Sequence, residues 1–354
     1  MNNSSESGTY ASFATYTVPP YVYNTQLAMG VIGLIGNFLV ILVVWLTPAL
    51  RTTTNYLIVN LAVADLLTST LLIVNKYPTQ AFNLPVPGGL AGEIYCRLYY
   101  NGEFFWVTIR ASTFGLLLVT LERYLALVHS LLYSKYCTNR HLVIVVIISW
   151  ISSVILQMIF AIFHKAGNGY CILFAYPNDT IAIFYAVFYF VVCYLIPTVV
   201  MVWAYIMISN SLKIKSQNNL GIHDDRVESI VRARKRLIRM LILVLLAYFI
   251  CWTPLTLLFF IHSLGGPTDY FAGYFNAIII IAFANSILNP FIYAFKYRQF
   301  RKGLMTKICR CFMRDSRVGH DNTTSTNYVP GASVDRGENN VVHKTEIAVV
   351  PVNN

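Results

Sequence analysis

Apolar runs near 25–46, 56–77, 98–121, 142–163, 181–208, 237–261 and 272–295 alternate with short polar connections along this 354-residue chain. Each run is long enough to cross a bilayer as a helix. The runs are too long for barrel strands, and neither irregular loops nor open sheets tolerate lipid, so the pattern predicts helices. The expected fold is an all-α membrane protein, a seven-helix transmembrane bundle rather than a string of soluble domains. The third run is the least clean, carrying Asn101, Glu103 and Arg110. The second holds Asp65 amid Tyr56–Val74. An ionisable group at that depth costs about 2.5–3.5 kcal/mol on insertion scales, so it needs polar partners or a function. Asn37, Ser112, Asn285, Ser286 and Asn289, each within another apolar run, are the candidates to meet it.

Composition agrees: 56% of residues are hydrophobic and only 12% charged, outside the soluble norm. Lys and Arg are absent from residues 1–22 and concentrate after the first, third, fifth and seventh runs. By the positive-inside rule the N-terminus is outside and the C-terminus cytosolic, which suits a multi-pass protein of the plasma membrane. The net charge of +11 is thus a topology signal, and nucleic acid is not an expected partner. Residues 1–24 read as an extracellular tail and 25–311 as the helical domain with a membrane-surface helix. The polar stretch 312–354 reads as a disordered cytosolic tail. No cleavable signal peptide is visible, so the first span is expected to act as its own insertion signal. Asn2, Asn3 and Asn178 lie in sequons expected to be outside and are glycosylation candidates.

Cysteines divide by side. Cys96 and Cys171 are expected to face the oxidising exterior, where a bridge would tie the loop after the fourth span to the third; two free thiols are the alternative. Cys309 and Cys311 follow the basic amphipathic segment Lys296–Lys307 and are candidates for palmitoylation, anchoring it to membrane lipid.

Gly36-Asn37, Asn60-Leu-Ala-Val-Ala-Asp65, Glu122-Arg123-Tyr124, Trp150, Pro197 with Tyr205, Cys251-Trp252-Thr-Pro254 and Asn289-Pro290-Phe-Ile-Tyr293 occur in order, one set per span. From about 25 to 311 the chain resembles the rhodopsin-like (class A) G-protein-coupled receptors, most of all the neuropeptide receptor group. The resemblance implies a receptor, not an enzyme, that binds an extracellular ligand and activates a heterotrimeric G protein by outward movement of the sixth helix. Receptor kinases and arrestin are implied partners at the tail, where Ser316 and Thr323–Thr326 offer hydroxyls.

Resemblance and chemistry then assign roles. Asp65, Ser112, Asn285, Ser286 and Asn289 supply oxygens suited to an allosteric sodium ion, the one metal expected; a hydrogen-bonded knot with a protonated Asp65 is the alternative. Glu122, Arg123 and Tyr124 form a latch by resemblance, or simply snorkel at a helix end. Arg234 stands where many relatives carry an acid, so no interhelical ionic lock is expected. Pro254 and Pro290 remove backbone donors inside helices, and Trp252 sits one turn below the expected pocket. Tyr248 replaces the usual Phe, while Tyr205 and Tyr293 are expected to bridge through water in the active state.

The interval from Cys96 to Arg123 is two residues longer than the resemblance predicts. Ser112 keeps its place relative to Arg123, so the extra length falls near Tyr99–Glu103, where Gly102 invites a break. The expected pocket is lined by Lys76, Gln80, Phe105, Trp106, Ile109, Gln157, Tyr189, Leu255, Phe259, His262 and Ile279. It is aromatic and lightly charged, which suits a peptide end, with Lys76, Glu93, Glu103 or Asp269 meeting its polar groups; a lipid or small apolar ligand is the alternative. Arg110 has two candidate partners, Glu103 and a ligand carboxylate. Asn168-Gly169 followed by Tyr170–Phe174 predicts a hairpin. A transporter of similar helix count would need further intramembrane charges or internal repeats, and neither is visible. No HExxH, GxSxG or P-loop is present.

Overall fold

A computed structural model describes residues 18–82, 84–167, 169–218, 225–265 and 273–309, apart from the side chains of 214–235 and 308–309. Among the described residues, seven helices are long and apolar enough to cross a membrane: α1 Pro20–Leu46, α2 Thr53–Ala81, α3 Gly89–Val128, α4 Asn139–Ala161, α5 Asp179–Lys213, α6 Arg236–Ser263 and α7 Gly273–Lys296. The helix of α6 begins earlier, at Asp225. After α7 comes α8, Arg298–Gly303, continued by a wide turn over Leu304–Cys309. Between α4 and α5 lies an antiparallel hairpin, β1 (Lys165–Gly167) and β2 (Tyr170–Ile172), with Ala166 opposite Cys171. The protein is a multi-pass membrane bundle, as the hydrophobic runs predicted.

Local chemistry sets the helix starts. Pro20 occupies the first turn of α1, where a missing N–H is harmless; residues 20–24, expected to be tail, are therefore helical. Thr52, Thr138 and Asn178 cap α2, α4 and α5, each side-chain oxygen accepting a backbone N–H three residues on. The Asn178 cap uses Oδ1, which leaves its exposed Nδ2 open to a glycan. Strand β2 ends at Ile172, two residues short of the expected Phe174, because Phe174 turns the chain with φ 56°.

Burial ranks the helices. In α3 67% of the most apolar stretch is enclosed, against 17% in α4, so α3 is the central rod and α4 the most lipid-facing. Ile144, Ile147, Ile148 and Ile151 of α4 are exposed, as a lipid surface requires. Helices in lipid associate through close packing rather than a hydrophobic force. Gly33 illustrates it: an added Cβ would collide with Ser69 Oγ, so only glycine lets α1 approach α2 this closely. The apolar core runs through Val40, Leu57, Val119, Met201, Ile208, Leu241 and Tyr293. Helix α8 lies against α1, with Phe300 buried.

Candidate functional site

Three buried polar layers stack along the bundle, starting from the hairpin end. The first is built on a break in α3. Helical hydrogen bonding is wide over Tyr95–Tyr100 and stops at Gly102, which adopts the left-handed conformation (φ 74°, ψ 54°) before the helix resumes at Glu103. This is where the two surplus residues were expected. The opposing stretch of α2, Leu72–Lys76, is itself a wide turn. It turns two successive polar side chains toward carbonyls at the break: Asn75 Nδ2 donates to Tyr99 O at 2.9 Å, which the Gly102 N–H also reaches, and Lys76 Nζ donates to Asn101 O. Such breaks survive in a membrane because neighbouring helices satisfy the backbone.

Glu103, fully enclosed, accepts from Asn101 Nδ2 (2.8 Å), from Gln157 Nε2 and from His164 Nε2 (3.0 Å). The His164 tautomer follows from its other nitrogen: Phe174 N–H donates to Nδ1 at 3.2 Å, so Nε2 carries the proton. His164 thereby pins the end of the hairpin to α3. Arg110 Nε donates to Gln157 Oε1 at 2.9 Å, with its guanidinium 4.3 Å from the Tyr189 ring centre. Two expectations need correction. Glu103 does not wait for a ligand, because protein donors occupy both its oxygens. Arg110 does not pair directly with Glu103, the first of its two candidate partners; Gln157 stands between the two. His164 was missed altogether, since a lone histidine beside the hairpin carries no sequence signal. Cys96 and Cys171 form a disulfide that ties β2 to α3.

The rest of the expected pocket surrounds this layer. Phe105 is fully buried, edge-on to Phe283 at 4.9 Å and to Trp106 at 5.5 Å. Ile109, Leu255 and Gln157 are buried as well, while Gln80, Tyr189, Phe259, His262 and Ile279 are half-buried. Lys76, at the end of the second apolar run, belongs to the helix of α2. Asp269 and Asn168 lie outside the described residues. Behind the hairpin Phe163, Tyr176 and Tyr185 cluster, and burial, with Tyr185 second, pushes the Tyr176 phenol up to about 12.

The second layer is centred on Asp65, which is fully enclosed. Ser112 Oγ donates to Oδ1 at 2.8 Å and Asn289 Nδ2 to Oδ2 at 2.7 Å. Asn37 Nδ2 donates to Ser286 O at 3.0 Å, tying α1 to α7 beside it. Asn285 and Ser286 are buried on the same helix. Helices α2, α3 and α7 thus converge on one carboxylate. Asn289 Oδ1 is a buried acceptor with no hydrogen-bond partner among the described residues, so this oxygen-only donor set fits a small hard cation. Trp252 lies buried on α6, and the Tyr248 ring stacks on Tyr194.

The third layer closes the opposite end. Arg123 grips Glu122 through two N–H groups, Nε at 2.6 Å from Oε2 and Nη2 against Oε1. The same carboxylate accepts from Thr54 Oγ1 (3.1 and 3.2 Å) and from Tyr133 OH (3.2 Å). Tyr133 belongs to the loop helix Ser130–Tyr136, and partial burial raises its phenol above the ordinary value, favouring the protonated donor. Thr54 and Tyr133 were not foreseen, for nothing in their sequence context marks them. Tyr124 packs on Trp203 at 4.9 Å. The Tyr205 and Tyr293 hydroxyls are buried without a partner among the described residues. Pro254 and Pro290 sit inside α6 and α7. The Arg234 side chain, Asn2, Asn3, Cys311 and the side chain of Cys309 lie outside the described residues.

Seven packed spans thus enclose the Glu122–Arg123 pair at one end, a buried carboxylate at mid-depth and a disulfide-tied hairpin at the other. The chain belongs to the 7 transmembrane receptor (rhodopsin family), whose model matches residues 36–293. It is similar to the Allatostatin-A receptor of Bombyx mori, 27% identical over 286 residues covering 77% of this chain and 75% of that receptor. It is similar as well to the QRFP-like peptide receptor of Branchiostoma floridae, 28% identical over 335 residues, 87% and 85% of the two chains. Somatostatin receptor type 2 of Mus musculus is 27% identical over 323 residues, 87% and 81%.

Proposed function

We propose that this protein is a plasma-membrane receptor for an extracellular peptide and that it converts binding into nucleotide exchange on a heterotrimeric G protein. The hairpin end faces outward and the Arg123 end inward, in keeping with the basic connections at that end. The carrying observation is the Glu122–Arg123 pair, closed and buffered by Thr54 and Tyr133. A guanidinium held by its own neighbour is released by a local rearrangement, freeing five N–H donors toward a partner. Agonist and G protein both favour the state with α6 outward, so each raises the affinity of the other. The Tyr205 and Tyr293 hydroxyls, without partners among the described residues, are the groups that such a state would join through water. Asp65, Ser112, Asn285, Ser286 and Asn289 would hold sodium in the resting state, the ion supplying a positive charge that stabilises the ionised carboxylate. Peptide-binding relatives support the ligand class, as does the hairpin held at the pocket mouth. Glycans on Asn2, Asn3 and Asn178, palmitate on Cys309 and Cys311, and arrestin recruitment by a phosphorylated tail complete the reading.

The test is a neuropeptide library applied to cells expressing the chain, read by guanine-nucleotide exchange together with calcium and cyclic-nucleotide signals. At least one peptide should drive exchange. A clear response to lipids and none to peptides would overturn the ligand class.

A further inference from the structure

Among the described residues the outer polar layer holds Lys76, Arg110 and the imidazole of His164 beside one fully enclosed carboxylate, Glu103. Arg110 is answered within the protein: Gln157 relays it to Glu103, and the Tyr189 ring covers its face. Glu103 is in turn saturated by Asn101, Gln157 and His164. Lys76 is left over. It is 8% exposed, and among the described residues its hydrogen bond goes to a neutral carbonyl, Asn101 O. Glu103 acts on it through space, but among the described residues no carboxylate forms an ion pair with it. Its ammonium lies 5.6 Å and 5.7 Å from the Phe105 and Trp106 ring centres, among side chains expected to line the pocket. An ammonium carries three donors, so two remain in a low-dielectric setting where an unpaired charge is held at a cost.

A second observation points to the same place. Gln26 of α1 is fully enclosed, and neither its amide nitrogen nor its amide oxygen has a hydrogen-bond partner among the described residues. Its neighbours along α1 fix what it faces. Gly30, one turn on, abuts Ile73, and the Tyr23 ring, one turn back, meets Tyr77 at 5.9 Å. Gln26 therefore lies opposite the stretch of α2 that carries Lys76. Further out on α2, the Gln80 amide oxygen is also buried and, among the described residues, unpartnered.

We infer that Lys76, on the stretch of α2 that Gln26 faces, receives a carboxylate of the ligand: an acidic side chain or a free C-terminus docked over Phe105 and Trp106. Lys76 Nζ and Gln26 Nε2 donate to its oxygens, and Gln80 Oε1 accepts a neighbouring N–H. The inference rests on the receptor reading above but is separable from it. It predicts that agonists lose activity when that one carboxylate becomes an amide.

Two measurements decide the matter. The first uses a peptide that activates the receptor and the same peptide with single carboxylates amidated, each tested on wild type, Lys76→Gln and Lys76→Arg at matched surface density. Amidating the critical group, or Lys76→Gln, should each cost about 100-fold in potency. The two together should cost scarcely more than either alone, and Lys76→Arg should keep the preference for the acid. Additive losses, or equal potency of acid and amide peptides on wild type, would overturn the inference. If only a lipid activates, the same cycle with its acid and its neutral amide tests Lys76, so the peptide reading fails separately. The second measurement needs no ligand: melting temperatures of the purified receptor. Glu103→Gln should lower the melting temperature strongly, because it strands a second cation. Lys76→Gln should lower it far less. Equal losses would mean that Lys76 serves as a structural partner of Glu103, and the inference would fall.

Discussion

Gly102 shows how one residue shapes the site. Its left-handed backbone is open to glycine and strained for other residues, and the space is closed too. A Cβ there would lie 2.6 Å from Asn75 Oδ1 and 2.9 Å from Lys76 Cε, the two side chains that hold the broken helix. Gly102→Ala is expected to destabilise the receptor by about 1–3 kcal/mol, seen as a lower melting temperature and lower surface expression. Gly88→Ala, where an added Cβ meets nothing within 4 Å, should match wild type. At the other end Arg123→Ala should abolish nucleotide exchange and leave ligand affinity within a few-fold of wild type, measured by radioligand binding beside an exchange assay. Preserved exchange would mean that Glu122 and Arg123 only dress a helix end. The residues that chemistry marks were legible: Asp65 in an apolar run, Gly102 in an overlong interval, Cys96 and Cys171 on one side. Asn75, His164, Thr54 and Tyr133 were not, because ordinary polar residues acquire a role only from what lies across from them.

Elements were legible to the extent that lipid dictates them. A segment in hydrocarbon must satisfy its own backbone, so about twenty apolar residues imply a helix with little ambiguity. The ends were less legible. Helices α1 and α3 begin before their apolar runs, since Pro20 and the Gly89–Ile94 turn extend them through polar surroundings. Wide turns in α2 and α3 carry no sequence signature beyond Gly102; the one in α2 sets Asn75 and Lys76 against the backbone carbonyls of α3. The hairpin is tethered by the Cys96–Cys171 bridge, by the Phe174 N–H bond to His164 and by the Ala166 N–H, which donates to Glu93 Oε1 at 3.3 Å. The bridge spans a sequence separation of 75, for which the chain-entropy model gives about 4 kcal/mol. Cys171→Ser should therefore cut surface expression and melting temperature sharply, while Cys137→Ser should do neither. Equal effects of the two substitutions would argue against the bridge as a structural tether.

For the whole molecule the question is how distant layers share one equilibrium. The Asp65 cluster links α2, α3 and α7, and Asn37 adds α1, so any shift of α7 must break or remake these bonds. If sodium occupies the cluster in the resting state, sodium should weaken agonist binding, and agonist should weaken sodium binding by the same factor. Asp65→Asn should erase the dependence, checked by agonist competition in sodium against a large organic cation; indifference of the wild type to sodium would remove the ion from the account. Hydrophobic run length and a handful of residues out of keeping with their surroundings were enough to indicate seven spans and the groups that must be buried together. Those features follow from the solvent, which acts on every residue by its own chemistry. That protein donors fill both oxygens of Glu103, while Lys76 forms no ion pair among the described residues, depended on side chains far apart in sequence coming within hydrogen-bonding distance. Pairing is a property of packed helices, and only the assembled bundle sets it.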